Sequence, residues 1–158
     1  MSSMDVAARV GALLKARHQT VAVAESSAGG LIAARLLAVP GASAYFLGGA
    51  VVYTAPAREA FLEINRAGMQ GMRAASEPYA VLLAERVKLQ LNADWGLSET
   101  GAAGPAGNRY GDPAGHSCMA VAGLVPLRRT LSTGATDRAG NMEAFAEAAL
   151  LLLEEALR

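Results

Sequence analysis

The 158-residue sequence predicts an α/β fold, a three-layer α/β/α sandwich around a mixed central sheet. Three observations predict it. Apolar runs rich in β-branched or aromatic residues, at 20–25, 44–53 and 93–100, alternate with stretches of helical periodicity. Glycine and proline punctuate the joints between them, as at Gly29-Gly30 and Pro40-Gly41. Two further strand-like runs, 116–122 and 129–133, lie close enough in the chain to pair as a hairpin, which makes the sheet mixed. The length suits one domain, 1–158, and a chain of this size buries roughly 70% of its unfolded surface without disulfides or metals.

The elements follow in order. Val6, Val10, Leu13 and Leu14 recur at helical spacing and predict an amphipathic helix over 4–17. Residues 20–25 form the first strand and 30–39 the next helix, which Pro40-Gly41 ends. Residues 44–53 read as a buried strand, and the Gly48-Gly49 pair inside it marks a bulge or a close backbone approach. Pro56 opens a short helix over 56–63, and 68–75 is loop. Ser76, followed by Glu77 and Pro78, is an N-cap with proline in the first turn of a helix that runs to about Leu91. Residues 93–100 are the third strand. The glycine-, proline- and polar-rich segment 101–115 is irregular and long enough to expect a functional role. The hairpin strands come next, and a helix over 142–157 closes the chain.

Composition narrows the function classes. Fourteen basic and fourteen acidic side chains leave no net charge, and no Lys/Arg run supplies a local footprint for nucleic acid. Cys118 is the single cysteine, which excludes a disulfide framework or a cysteine metal site and reads as core. His18 and His116 are isolated, so no metal is expected; His116 reads as a hydrogen-bonded or surface histidine. Residues 1–19 lack a signal-peptide block, and no apolar run is long enough to span a bilayer. A soluble, cytoplasmic protein is expected.

The segment VAVAESSAGG carries the first candidate chemistry. A strand stops at Glu25, Ser26 and Ser27, two glycines follow, and a helix begins. Free N–H groups at a helix N-terminus carry partial positive charge and can hold an anion, often a phosphate. The plain alternative is that Gly29 and Gly30 serve only a sharp bend, that Glu25 caps its own turn, and that Ser26 and Ser27 are capping hydroxyls. In folds of this class, loops leaving the carboxyl ends of strands converge on one crevice. Residues 25–30, 40–43 with 53–58, 100–115 and 136–138 qualify. Tyr45 and Tyr53 pack into the core or stack on a ligand, with the core reading favoured.

Four segments in this order, VAVAESSAGG, PGASAYFLGGAVVY, ASEPYA and ETGAAGP, resemble the C-terminal domain of CinA proteins, the PncC type of nicotinamide mononucleotide deamidase. The resemblance covers about 5–155. It implies a domain standing without the larger partner domain of longer members. The implied reaction, without cofactor or metal, is hydrolysis of the ligand's carboxamide to the acid with release of ammonia. It implies a small-molecule nucleotide as partner and, by analogy, a homo-oligomer. Carried over residue by residue, Ser43 matches the family's nucleophile and Arg58 the lysine that serves as base. Glu25, Ser26, Ser27, Gly29, Gly30, Tyr53, Thr100, Gly101, Gly104 and Arg138 match ligand-binding positions.

The departures bear on chemistry. Ser27 stands for the family's cysteine, Ala28 for its threonine, Ala55 for its asparagine and Arg58 for its lysine. A serine that opens an amide needs a neighbour to take its proton and pass it to the leaving nitrogen. Arginine stays protonated in proteins and cannot do so, although its planar fork clamps phosphate well. Three readings follow: a nicotinamide mononucleotide amidohydrolase of this type, a domain of the same fold that binds a phosphorylated nucleotide without turning it over, and a structural or assembly protein with a vestigial pocket.

Overall fold

The computed structural model describes residues 5–158. Five strands form one sheet in the order β2-β1-β3-β4-β5. They are β1 (Val21–Glu25), β2 (Phe46–Val51), β3 (Trp95–Ala102), β4 (His116–Ala122) and β5 (Leu127–Ser132). β2, β1 and β3 are parallel, and β4 and β5 run antiparallel as a hairpin, so the sheet is mixed as expected.

Alternation along the strands sorts the core into two layers. Val21, Val23, Trp95, Leu97, Met119 and Val121 face α1 (Val6–Arg17), α2 (Leu31–Leu37) and α5 (Arg138–Leu157). Ala22 and Ala24 face the opposite way, where Tyr79, Leu83 and Val87 of α4 (Glu77–Leu91) cover them. A short α3 (Ala55–Leu62) packs beside α4. Helices on both faces give the three layers.

Caps set the boundaries. The Asp5 side chain accepts from the Ala8 amide and Ser76 from that of Tyr79; the expected start of the first helix at Met4 lies outside the described residues. The last helix begins at Arg138 rather than Met142, because the Asp137 carboxylate accepts the Gly140 amide and supplies an N-cap. β3 runs on to Ala102, into the segment expected to be irregular. Gly101 permits this: a Cβ there would stand 2.3 Å from the His116 carbonyl oxygen of the neighbouring strand.

The second strand corrects an expectation. Read from sequence as buried, β2 is one of the sheet's two edge strands, and its residues alternate between half-buried and exposed. Its aromatic and β-branched content describes strand propensity, whereas position in the sheet sets burial. The glycine pair behaves as expected. The register slips from Val21↔Phe46 to Ala22↔Gly48, and a Cβ on Gly49 would approach the Val23 carbonyl to 2.9 Å.

Because β1 connects to β2 on one side and pairs with β3 on the other, the chain reverses direction across the sheet at the carboxyl end of β1. Open α/β sheets form their crevice at such a point.

Candidate functional site

Glu25 ends β1, and Glu99 stands beside it in register on β3. Both side chains are buried, at 1% and 0% exposure. Glu25 accepts the amides of Gly30 (3.1 Å), Ile32 (2.9 Å) and Ala33 (2.9 Å). Glu99 accepts the amides of Ala28 (2.7 Å) and Ser26 (3.2 Å), the Ser117 hydroxyl (2.9 Å) and, closest of all, the Ser27 hydroxyl. Burial raises both carboxyls above their ordinary range, and these hydrogen bonds pull them part of the way back.

This arrangement corrects the anion site expected at the start of α2. Five amides of this turn already donate to the chain's own buried carboxyls, and those of Gly29 and Leu31 donate to the Ser26 and Ala28 carbonyls, so a ligand there meets occupied donors and two competing acceptors. Glu25 caps its turn, and Ser27 is a donor to Glu99. Gly29 and Gly30 take the left-handed conformations, φ +68° and +101°, that reverse the chain between strand and helix. Ala28 is fully buried beneath them.

A cleft of about 420 Å³ opens next to this turn. Ser26 from the end of β1 lines it, with Tyr53 and Thr54 beyond β2 and Arg58 on α3. Arg66 and Met69 enter from the connection to α4, Tyr79 from α4 itself, and Arg109 and Tyr110 from the long loop after β3. No carboxylate is among its lining residues. The Arg58 guanidinium sits 5.7 Å from the centre of the Tyr79 ring. Burial raises the Tyr79 phenol, and the hydrogen bond from Arg58 works against that rise.

Tyr53 is 59% exposed and not in the core. Arg138, at the start of α5, donates to its hydroxyl (3.1 Å) and to the Gly104 carbonyl (2.6 Å), so Tyr53, Gly104 and Arg138 form one cluster at the cleft's edge. Tyr45 is the core tyrosine, and its hydroxyl donates to the Leu36 carbonyl. Thr100 is buried, where its hydroxyl accepts the Ala75 amide (3.1 Å), and Gly101 pairs inside the sheet. Neither lines the cleft. Cys118 is buried, and His116 is hydrogen-bonded through Nε2 to the Ala75 carbonyl.

Ser43 falls elsewhere. It lies in the 3-10 turn Ala42–Ala44 that precedes β2, whereas Arg58 follows that strand. At about 3.3 Å per residue, the six residues of β2 hold them roughly 20 Å apart. One chain therefore does not bring the expected nucleophile and Arg58 together. The reason is directional: a parallel strand delivers its two flanking segments to opposite ends of the sheet.

Sequence reading passed over Glu99, Arg66, Tyr79, Arg109 and Tyr110. Glu99 is visible within ETGAAGP, and Arg109-Tyr110 sits inside the loop expected to be functional. Nothing local marks Arg66. Among the described residues no three His, Cys, Asp or Glu side chains gather closely enough to hold a metal ion, and no helix is long and apolar enough to cross a membrane. A larger groove, about 1100 Å³, runs between α4 and the β4–β5 turn and is lined by Glu85, Lys88, Leu89, Leu124 and Arg128. It lies at the other end of β4 from the cleft loop and receives none of the candidate residues.

Comparison with known proteins agrees with this fold. The model of the CinA C-terminal domain family matches residues 3–157. A CinA-like protein of Chlorobium limicola is 39% identical over 146 residues, covering 89% of this chain and 34% of its own length. A CinA-like protein of Salinibacter ruber is 40% identical over 149 residues, covering 94% and 35%. The chain thus spans about a third of the length of these relatives. Among solved structures, the competence/damage inducible protein CihA from Agrobacterium tumefaciens superposes with a TM-score of 0.89 at 26% identity, over 99% of this chain and 100% of its own. A CinA superfamily protein from Klebsiella pneumoniae gives 0.89 at 25% identity, over 96% and 95%.

Proposed function

The chain belongs to the CinA C-terminal domain family, and from that premise we propose that its cleft binds a phosphorylated pyridine nucleotide, nicotinamide mononucleotide being the ligand to try first. The observation that carries this reading is a cationic, aromatic cleft without a carboxylate: Arg58 faces it beside Tyr53, and Arg138 steadies the Tyr53 hydroxyl. A guanidinium clamps a phosphate through two parallel N–H bonds, and an exposed tyrosine ring offers a face to a pyridine ring. Binding without turnover is the form the residues favour. Hydrolysis of a carboxamide needs a proton acceptor, and the titratable side chains of the cleft are arginines and tyrosines.

Amide hydrolysis is the second reading, and the specific observation in its favour is Ser26, a hydroxyl-bearing residue of the family's first motif that lines the cleft. One experiment separates the two. The protein is mixed with nicotinamide mononucleotide, and ammonia release and melting temperature are followed together. The expected result is a higher melting temperature, with stabilisation growing as RT ln(1 + [L]/Kd), and no ammonia. Ammonia release that Arg58→Lys increases moves the conclusion to the deamidase. Neither signal overturns nucleotide binding altogether.

A further inference from the structure

We infer that the cleft is built for a pyrophosphate-bearing nucleotide rather than for a monophosphate alone, with Arg66 and Arg109 as the second phosphate's site. The inference rests on the nucleotide reading above and deepens it. Elsewhere in the molecule arginines are answered by carboxylates: Arg9 by Glu154, Arg35 by Glu147, Arg128 by Glu77 and Arg129 by Glu155. Arg17 and Arg86 donate to backbone carbonyls. Arg58, Arg66 and Arg109 have no carboxylate partner among the described residues, and all three line one cleft.

The charge at Arg109 is kept uncompensated by the loop's own bonding. Asp112, the acidic residue three positions on, accepts from Arg73 Nη1 (2.7 Å) and Nη2 (3.3 Å) and from Asn108 Nδ2 (2.9 Å). Asn108 Oδ1 in turn accepts the amides of Tyr110 (3.0 Å) and Asp112 (3.1 Å), which fixes the turn that presents Arg109. Among the described residues the Arg109 guanidinium donates one hydrogen bond, to the neighbouring Tyr110 hydroxyl (3.1 Å). Among the described residues the Arg66 guanidinium has no hydrogen bond or ion pair; only the residue's backbone carbonyl is engaged, by the Met69 amide (3.3 Å). The three guanidinia are brought to the cleft by three separate segments, α3, the connection to α4 and the long loop after β3. A monophosphate of charge about −2 satisfies one clamp, whereas a pyrophosphate offers two adjacent tetrahedral anions to two clamps. The volume, about 420 Å³, is within the ordinary range for a nucleotide-sized ligand.

Base-free probes isolate the effect. Calorimetric titrations of the intact protein compare inorganic pyrophosphate with inorganic phosphate, and nicotinamide mononucleotide is titrated in parallel. The expected result is that pyrophosphate binds at least about tenfold more tightly than phosphate, and that the double variant R66Q/R109Q reduces this ratio to about one. Equal affinity for the two anions, or an unchanged ratio in a variant whose circular dichroism and melting temperature match the parent, overturns the inference. If nicotinamide mononucleotide binds while the two anions bind equally, the second-phosphate site fails and the nucleotide reading stands. If none of the three binds, both fail.

Discussion

Two neighbouring regions treat an incoming anion in opposite ways. The turn between β1 and α2 carries the amide donors of a helix N-terminus, and those of Ser26, Ala28, Gly30, Ile32 and Ala33 are taken by Glu25 or Glu99, while those of Gly29 and Leu31 go to carbonyls within the turn. The cleft beside it carries guanidinium donors whose carboxylate partners are missing. Both regions attract negative charge in principle. What separates them is saturation: a donor already paired inside the protein contributes nothing to a ligand, and breaking that pair exposes a buried carboxylate. An anion site is thus identified by its unanswered donors, and a glycine-rich turn before a helix does not by itself provide them.

The largest expected effect tests the saturated side. Glu99→Ala strands the Ser26 and Ala28 amides and the Ser27 and Ser117 hydroxyls around a new void, and it is expected to cost about 3–5 kcal/mol in a denaturant titration. Glu99→Gln keeps one acceptor for the two amides and turns the other end toward hydroxyls that can accept, so its cost is expected to stay below about 2 kcal/mol. A Glu99→Ala protein as stable as its parent would show that the turn does not depend on this carboxylate.

The same residue sets a pH dependence. Burial raises the Glu99 carboxyl in the folded chain above its ordinary 4.5, so the folded state keeps the proton to a higher pH than the unfolded state does. The stability from this linkage is full below that ordinary value and disappears as pH rises through the raised one. Measured as parent minus Glu99→Gln, stability is therefore expected to fall as pH rises from about 4.5. A flat difference across that window would mean that the group titrates alike in both states.

The unsaturated side predicts a smaller number. Arg58→Gln removes the charge proposed to clamp a nucleotide phosphate and is expected to weaken nicotinamide mononucleotide binding by about 1.5–3 kcal/mol, read by calorimetry, with little change in melting temperature of the free protein. Smallest of all is Ser43→Ala. The residue is exposed at the far end of β2, and its loss is expected to change nucleotide affinity less than about twofold. A large loss would mean that Ser43 reaches a cleft, such as that of a second copy of the chain, by a route one chain does not provide.

Much of this architecture could be read from local chemistry. His116–Ala122 was predicted residue for residue, and the Ser76 cap and the Gly48-Gly49 irregularity were each visible as a pattern with a mechanism. Family motifs were equally legible, because they are short and ordered along the chain. The exposure of β2 was not legible, since alternation and propensity say nothing about which strand lies at the edge. Nor was the fate of Ser43, which depends on strand direction.

Periodicity, caps and turn residues act over a few positions, so the amino-acid order alone settled which segments are strands and helices and which family the chain resembles. The pairing of Glu99 with a turn more than seventy residues away, and the convergence of Arg58, Arg66 and Arg109 on one cleft, were settled only when the chain packed. Hydrogen bonds are satisfied in space, and no reading of neighbouring residues can say which donors will find an acceptor from a distant strand and which will be left for a ligand.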